Sequence, residues 1–120
     1  MAIPVQTADP AGDGSIIKYT WTLTTADPIG DALAFPAWAD RCFTLTGTWG
    51  GATAAIQGSN GSNYVTLTNG ATGESATTTV DSAITPFEGV LYVRPNLTVV
   101  GVGASVTVII IARRSSPLRT

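Results

Sequence analysis

The chain predicts an all-β fold: an antiparallel two-sheet sandwich, jelly-roll-like, with an extended N-terminal arm. Three observations carry this. Apolar and polar residues alternate with period two in one stretch after another, the pattern of half-buried strands. Glycine, proline and Asn-Gly turn signals punctuate those stretches at short intervals. No segment keeps a helical period of useful length, and about eight short strands so spaced build a sandwich, a jelly roll or a small barrel. The predicted organisation is an arm over residues 1–14, a β-sandwich domain over 15–112 and a polar basic tail over 113–120.

The elements follow in chain order. Residues 1–14 lack periodicity and carry Pro4, Pro10, Gly12 and Gly14, which reads as an extended arm. In IIKYTWTLT, Ile17, Tyr19, Trp21 and Leu23 alternate with Lys18, Thr20, Thr22 and Thr24, a strand with one buried face. Pro28 and Gly30 build a turn, and residues 32–35 predict a short strand that PAWAD interrupts. RCFTLTGTW alternates again, with Phe43, Leu45 and Trp49 facing inward. Gly47 within it predicts a bulge or a close backbone approach.

The next segment, GGATAAIQGSNGSNYVTLTNGATG, predicts a meander. Gly50-Gly51 reverses the chain, ATAAIQG is a small-residue strand with Ile56 inward, and Asn60-Gly61 closes a hairpin onto YVTLT. In that returning strand Val65 and Leu67 share a face. Asn69-Gly70 opens a second turn. Its glycines are assigned to the positive φ that such turns require. SATTTV reads as a polar edge strand, and DSAITPFEG as a connector. VLYVRP is a strand ended by Pro95, and NLTVV and ASVTVIIIA are two more. Residues 106–111 are apolar on both faces, so their strand should be central or lie at an interface. The predicted core includes Tyr19, Trp21, Phe43, Leu45, Ile56, Val65, Leu67, Leu91, Val93 and Val108.

Composition narrows the function. Six basic and eight acidic residues give a net charge of −2, which argues against nucleic acid as a partner. Charged residues make up 12%, against about 25% in an average soluble domain. Interface centres are depleted of charge, so this sparseness favours a subunit covered by neighbours over a free monomer. No apolar run approaches the roughly 20 residues of a membrane helix. No basic segment followed by an apolar one opens the sequence, so synthesis in the cytosol is expected.

Chemistry is thin. The chain has no His, which removes Ser-His-Asp and Cys-His nucleophiles and His-ligated metals. A single cysteine, Cys42, permits no internal disulfide and no zinc ribbon; a small strand residue is the simpler reading against a reactive thiol. Lys18 is the only lysine and no P-loop surrounds it. Glu74 and Glu88 show no common cleft of the kind glycoside hydrolysis needs. The Asp9/Asp13 and Asp27/Asp31 pairs are explained by turns rather than calcium. No catalytic, cofactor-binding or metal residue is assigned, and no enzyme activity is expected. Trp21 and Trp49 follow inward strand positions. Trp38, in the loop-like FPAWAD, is the candidate exposed anchor for a partner.

The pattern WADRCFTLTGTWGGATAAIQGSNGSNYVTLTNGATG, continuing to LYVRPNLT and ASVTVIIIARR, resembles small virion proteins of tailed bacteriophages, the head decoration or cement type. The likeness covers roughly residues 21–114, and rests on turn and core positions. It departs from the family pattern at SNGSNY, one residue shorter, with Tyr64 where Trp is common. The resemblance implies a structural protein of the phage head that binds the major capsid protein and stabilises the shell, as a homodimer or homotrimer. It supplies no site residues. Alternatives of other classes are a tail or head–tail connector component, and a carbohydrate- or host-surface-binding module. The residues themselves offer interface candidates at both ends: Ile3, Pro4 and Val5 as the apolar tip of the arm, and Arg113, Arg114 and Arg119 in the tail.

Overall fold

A computed structural model describes residues 2–6, 16–34, 38–86 and 90–114; for 38–40 and 114 the backbone alone is described. All elements among these residues are strands: β1 (Val5–Gln6), β2 (Ile16–Thr24), β3 (Leu33–Ala34), β4 (Trp38–Thr48), β5 (Thr53–Ser59), β6 (Val65–Thr66), β7 (Thr77–Thr78), β8 (Ser82–Ile84), β9 (Tyr92–Val99) and β10 (Ser105–Arg114). No helix among them is long and apolar enough to cross a membrane. One sheet has the order β1-β2-β10-β4-β8, the other β3-β9-β5-β6, with β7 also on β5. The pairings are antiparallel throughout. Consecutive strands β2 and β3, β4 and β5, and β7 and β8 lie in opposite sheets, which is the crossing pattern of a jelly roll.

Alternation places the core. Trp21 and Leu23 of β2, Phe43 and Leu45 of β4, and Val106, Val108, Ile110 and Ala112 of β10 are buried on the inner face of the first sheet. Ala54 and Ile56 of β5, and Val93, Pro95 and Leu97 of β9, face them from the second. Trp21 stacks on Phe43 at 6.3 Å between ring centroids, and its indole nitrogen donates to the Asp31 carbonyl at 2.9 Å. A buried indole N–H thus finds the partner it needs. The apolar strand β10 lies at the centre of its sheet, as its sequence predicts.

Several expectations change. The Gly50-Gly51 turn, with φ of 56° and 87°, is not a hairpin between paired strands. It carries the chain from the first sheet to the second, so the predicted meander begins with a crossover. Gly47 makes the close backbone approach and not the bulge: its register with Val106 is regular, and the shift in that pairing lies between Ile111 and Arg113. Gly61 has no left-handed φ and nothing near the place of a Cβ. The β5–β6 loop is instead held by Asn60, whose side-chain oxygen accepts from the Leu91 amide at 2.8 Å. In the second turn the left-handed residue is Gly73, φ 74°, and not Gly70.

Pro95 does not end a strand. β9 runs through it, because its carbonyl faces Gly30, whose amide donates to it at 2.8 Å. In an antiparallel pair a residue's N–H and C=O point to the same neighbour. The missing N–H therefore faces the irregular segment at Gly30 rather than β5. Gly30 fits there because a Cβ would lie 2.6 Å from Pro95 Cδ. The predicted connector contains β8, paired with β4 at Phe43, Thr44 and Leu45. Two predicted core residues are exposed, Val65 at 61% and Leu91 at 38%, and Tyr19 is half-buried. Both sit where pairing is short or absent: Val65 in the two-residue strand β6, Leu91 just before β9.

Strands run past the predicted limits of the sandwich at both ends. The first residues of the predicted arm belong to the domain: β1 pairs with β2, Val5 opposite Thr20 and Gln6 opposite Tyr19. Ala2 is buried, donates to the Ile29 carbonyl at 2.8 Å and accepts from the Asp31 amide at 2.8 Å. Two or three apolar residues suffice here because they complete an existing sheet and need no periodicity of their own. Deleting residues 1–6 is therefore expected to lower stability by about 2–4 kcal/mol, from the lost hydrogen bonds to Ile29, Asp31 and β2 and from the lost burial of Ala2. Thermal unfolding of the truncated protein checks this, and an unchanged melting temperature would refute it. At the other end β10 continues to Arg114, two residues past the predicted limit. Residues 1 and 7–14 of the arm and 115–120 of the tail lie outside the described residues.

Candidate functional site

Two outer faces of the sandwich stand out. On the first sheet, register aligns Val5, Thr20, Ile109, Thr44 and Ala83 in one row across five strands. All five point away from the core, since their chain neighbours Trp21, Val108, Ile110, Phe43, Leu45 and Ile84 point into it. The next row is Thr22, Thr107 and Thr46. No charged side chain falls in either row. Lys18, beside Ile111 and Cys42, and Arg113, beside Ile16, place charge at one end only. Away from that end the face is hydroxyl-rich and neutral, the character of an interface centre rather than of a solvated rim.

The second sheet's outer face carries a polar cluster. Tyr92, Arg94 and Asn96 alternate outward from β9 between the buried Val93, Pro95 and Leu97. Gln57 projects from β5 directly opposite Arg94. Its side-chain oxygen accepts from Arg94 Nε at 3.1 Å and from Asn96 Nδ2 at 3.2 Å. The Arg94 guanidinium then reaches across β5 and lies 3.9 Å from the centre of the Tyr64 ring. Such a cation–π contact contributes about 0.5–1 kcal/mol at an exposed site. Its larger effect is conformational: stack and hydrogen bond together hold a long, otherwise mobile side chain in one orientation.

Arg41 is distinct from this cluster. It is half-buried, and one terminal nitrogen donates to the Val90 carbonyl at 2.7 Å. Burial lowers its pKa from the usual arginine value, yet a guanidinium remains charged at neutral pH. Asp81 is also structural. One of its oxygens accepts from the Gly47 amide at 3.1 Å and from the Trp49 indole at 2.8 Å, where β8 has ended and the edge of β4 lacks a strand partner.

The sequence-predicted candidates scatter. Val5 lies on the neutral face at 62% exposure, and Ile3 is exposed at 74% next to the half-buried Pro4. Trp38 is not in a loop: it begins β4, opposite Arg114. Arg113 is an exposed strand residue opposite Ile16 and Ala39. Arg119 lies outside the described residues. Ends of β2, β4 and β10 thus bring Trp38, Arg113 and Arg114 together, while Ile3, Pro4 and Val5 stand at the sheet edge. Arg94, Tyr64 and Gln57 were missed. The alternation of Tyr92, Arg94 and Asn96 was available in the sequence, but the supposed break at Pro95 concealed it. No cluster of acidic or cysteine side chains among the described residues has the composition of a metal site.

No protein-family model matches the chain, and no curated protein matches it. Among solved structures, the fold is similar to that of the SPBc2 prophage-derived protein YomS. The TM-score is 0.59 and the sequence identity 17%, over 81% of this chain and 93% of that one. A weaker likeness, TM-score 0.43 at 14% identity, is to a cupin domain from Bordetella pertussis Tohama I, over 96% of this chain and 94% of that one.

Proposed function

We propose that this chain is a non-enzymatic structural protein of a tailed-phage virion that binds and stabilises the capsid shell. The observation that carries the reading is the neutral outer face of the first sheet. A charge-free row of Val5, Thr20, Ile109, Thr44 and Ala83 spans the full width of a five-stranded sheet. A surface of this kind buries against a protein neighbour without leaving charges unpaired. The sequence resemblance to head decoration proteins and the fold likeness to a prophage-derived protein support the same class. On this reading the partner is the major capsid protein, the site is the phage head, and attachment stabilises the assembled shell by mass action, because only that state offers the binding surface.

Co-sedimentation with phage heads lacking the protein tests it. The wild-type chain is expected to pellet with the heads. Thr44→Arg places a charge in the middle of the face at an exposed position, and should weaken attachment at least about tenfold with the melting temperature unchanged. Full attachment by that variant would move the interface elsewhere, and no attachment by the wild type would sink the capsid reading. The polar cluster around Arg94 on the second sheet favours a second reading, recognition of a host-surface component, which pull-down on host envelopes would reveal.

A further inference from the structure

We infer that Arg94 is one half of a self-association contact, and that its complement is the Glu74 carboxylate of a second copy of this chain. Among the described residues, Arg94 meets no carboxylate. Its Nε is occupied by Gln57, and its orientation is fixed by Tyr64. That leaves the two terminal nitrogens as an end-on fork, the geometry that takes a carboxylate through two parallel hydrogen bonds. Because the side chain is already immobilised, binding spares the entropy of ordering it. Arginine and tyrosine are also the residue types that dominate interface energetics.

The described residues offer one matching acid. Asp31 accepts from the Ala32 amide, Asp81 from Gly47 and Trp49, and Asp27 is likewise engaged. Glu74 differs: it is exposed, and among the described residues its carboxylate accepts no hydrogen bond and meets no cation. It stands on a hairpin closed by Thr68 opposite Ser75, with the Asn69 amide donating to the Glu74 carbonyl at 2.7 Å. The hairpin is anchored on two sides. Leu67 and Ala76 bond to Ile56 of β5, and Gly70 donates to the Thr85 carbonyl at 2.8 Å. It leaves β5 on the side away from β9. In a chain so poor in charge, an oriented guanidinium and an exposed carboxylate on an anchored hairpin, neither meeting an opposite charge among the described residues, are complementary between two copies.

The inference goes beyond the capsid reading and does not require it. Sedimentation of the isolated protein tests it without any shell. The wild type is expected to self-associate, more weakly at high salt because the pair is exposed. Glu74→Arg and Arg94→Glu should each weaken association at least about tenfold. An equimolar mixture of the two should restore it, because each new charge then faces its opposite. If either reversal impairs folding, Glu74→Gln or Arg94→Gln replaces it, with the same loss expected. A wild type that stays monomeric at millimolar concentration overturns the inference. So does association that survives either substitution, or a mixture of folded reversal variants that fails to recover.

Discussion

Gly47→Val is expected to be among the most damaging single substitutions in the chain. Gly47 sits in β4 opposite Val106 of the central strand β10, with a φ of 144°. A Cβ there would overlap the Ser105 carbonyl oxygen, and would lie 3.1 Å from Val106 Cα. Both obstacles are backbone, in the best-paired strand of the sheet, so neither can turn aside as a flexible side chain would. Strained backbone at such a φ costs about 1–3 kcal/mol, and forced overpacking about as much again. The position also donates to Asp81, and a shifted backbone would loosen the Trp49–Asp81 contact with it. Together these approach the whole net stability of a small domain, about 5–15 kcal/mol. Urea unfolding should show a large fall in midpoint or no folded baseline. Gly61→Val is the control. It has ordinary φ and open space, so its effect should stay within about 0.5 kcal/mol. Equal losses at the two glycines would refute the account.

Trp21→Ala comes second. The side chain is fully buried, stacks on Phe43 and satisfies the Asp31 carbonyl. Truncation of a buried Trp costs about 3–5 kcal/mol. The hydrogen bond lost to Asp31 matters further, because Asp31 also donates its amide to Ala2 and so links the first strand to the β2–β3 connection. Trp21→Phe is the milder test. It keeps one of the two fused rings and loses the donor, so a smaller loss of about 1–3 kcal/mol is expected from the unsatisfied carbonyl and the smaller ring together. Thermal or denaturant unfolding of the pair measures both. A loss below about 1 kcal/mol for Trp21→Ala would mean that the core is not organised around this stack.

The amino-acid sequence by itself determined the fold class and most of the core. Alternation is a property of neighbouring residues, so Trp21, Leu23, Phe43 and Leu45 declare their buried face without reference to the rest of the chain. The centrality of β10 follows equally from its run of apolar residues. Which strands pair, and where, is not local. Gly50-Gly51 reads as a reversal in any case, and nothing within it says whether the returning strand pairs with the one before or crosses to the other sheet. Pro95 reads as a strand end until Gly30, sixty-five positions earlier, is placed against its ring. Ala2 through Gln6 look too short for a strand, and become one only because the open edge of β2 is beside them. The recognition surfaces belong to the same class. The row from Val5 to Ala83 is assembled from five strands, and the Arg94 cluster joins residues from β5, β9 and the loop before β6. Side-chain periodicity fixes which way a residue points. Only the register between distant strands decides what stands next to it, because hydrogen bonding is made between strands that the sequence holds far apart.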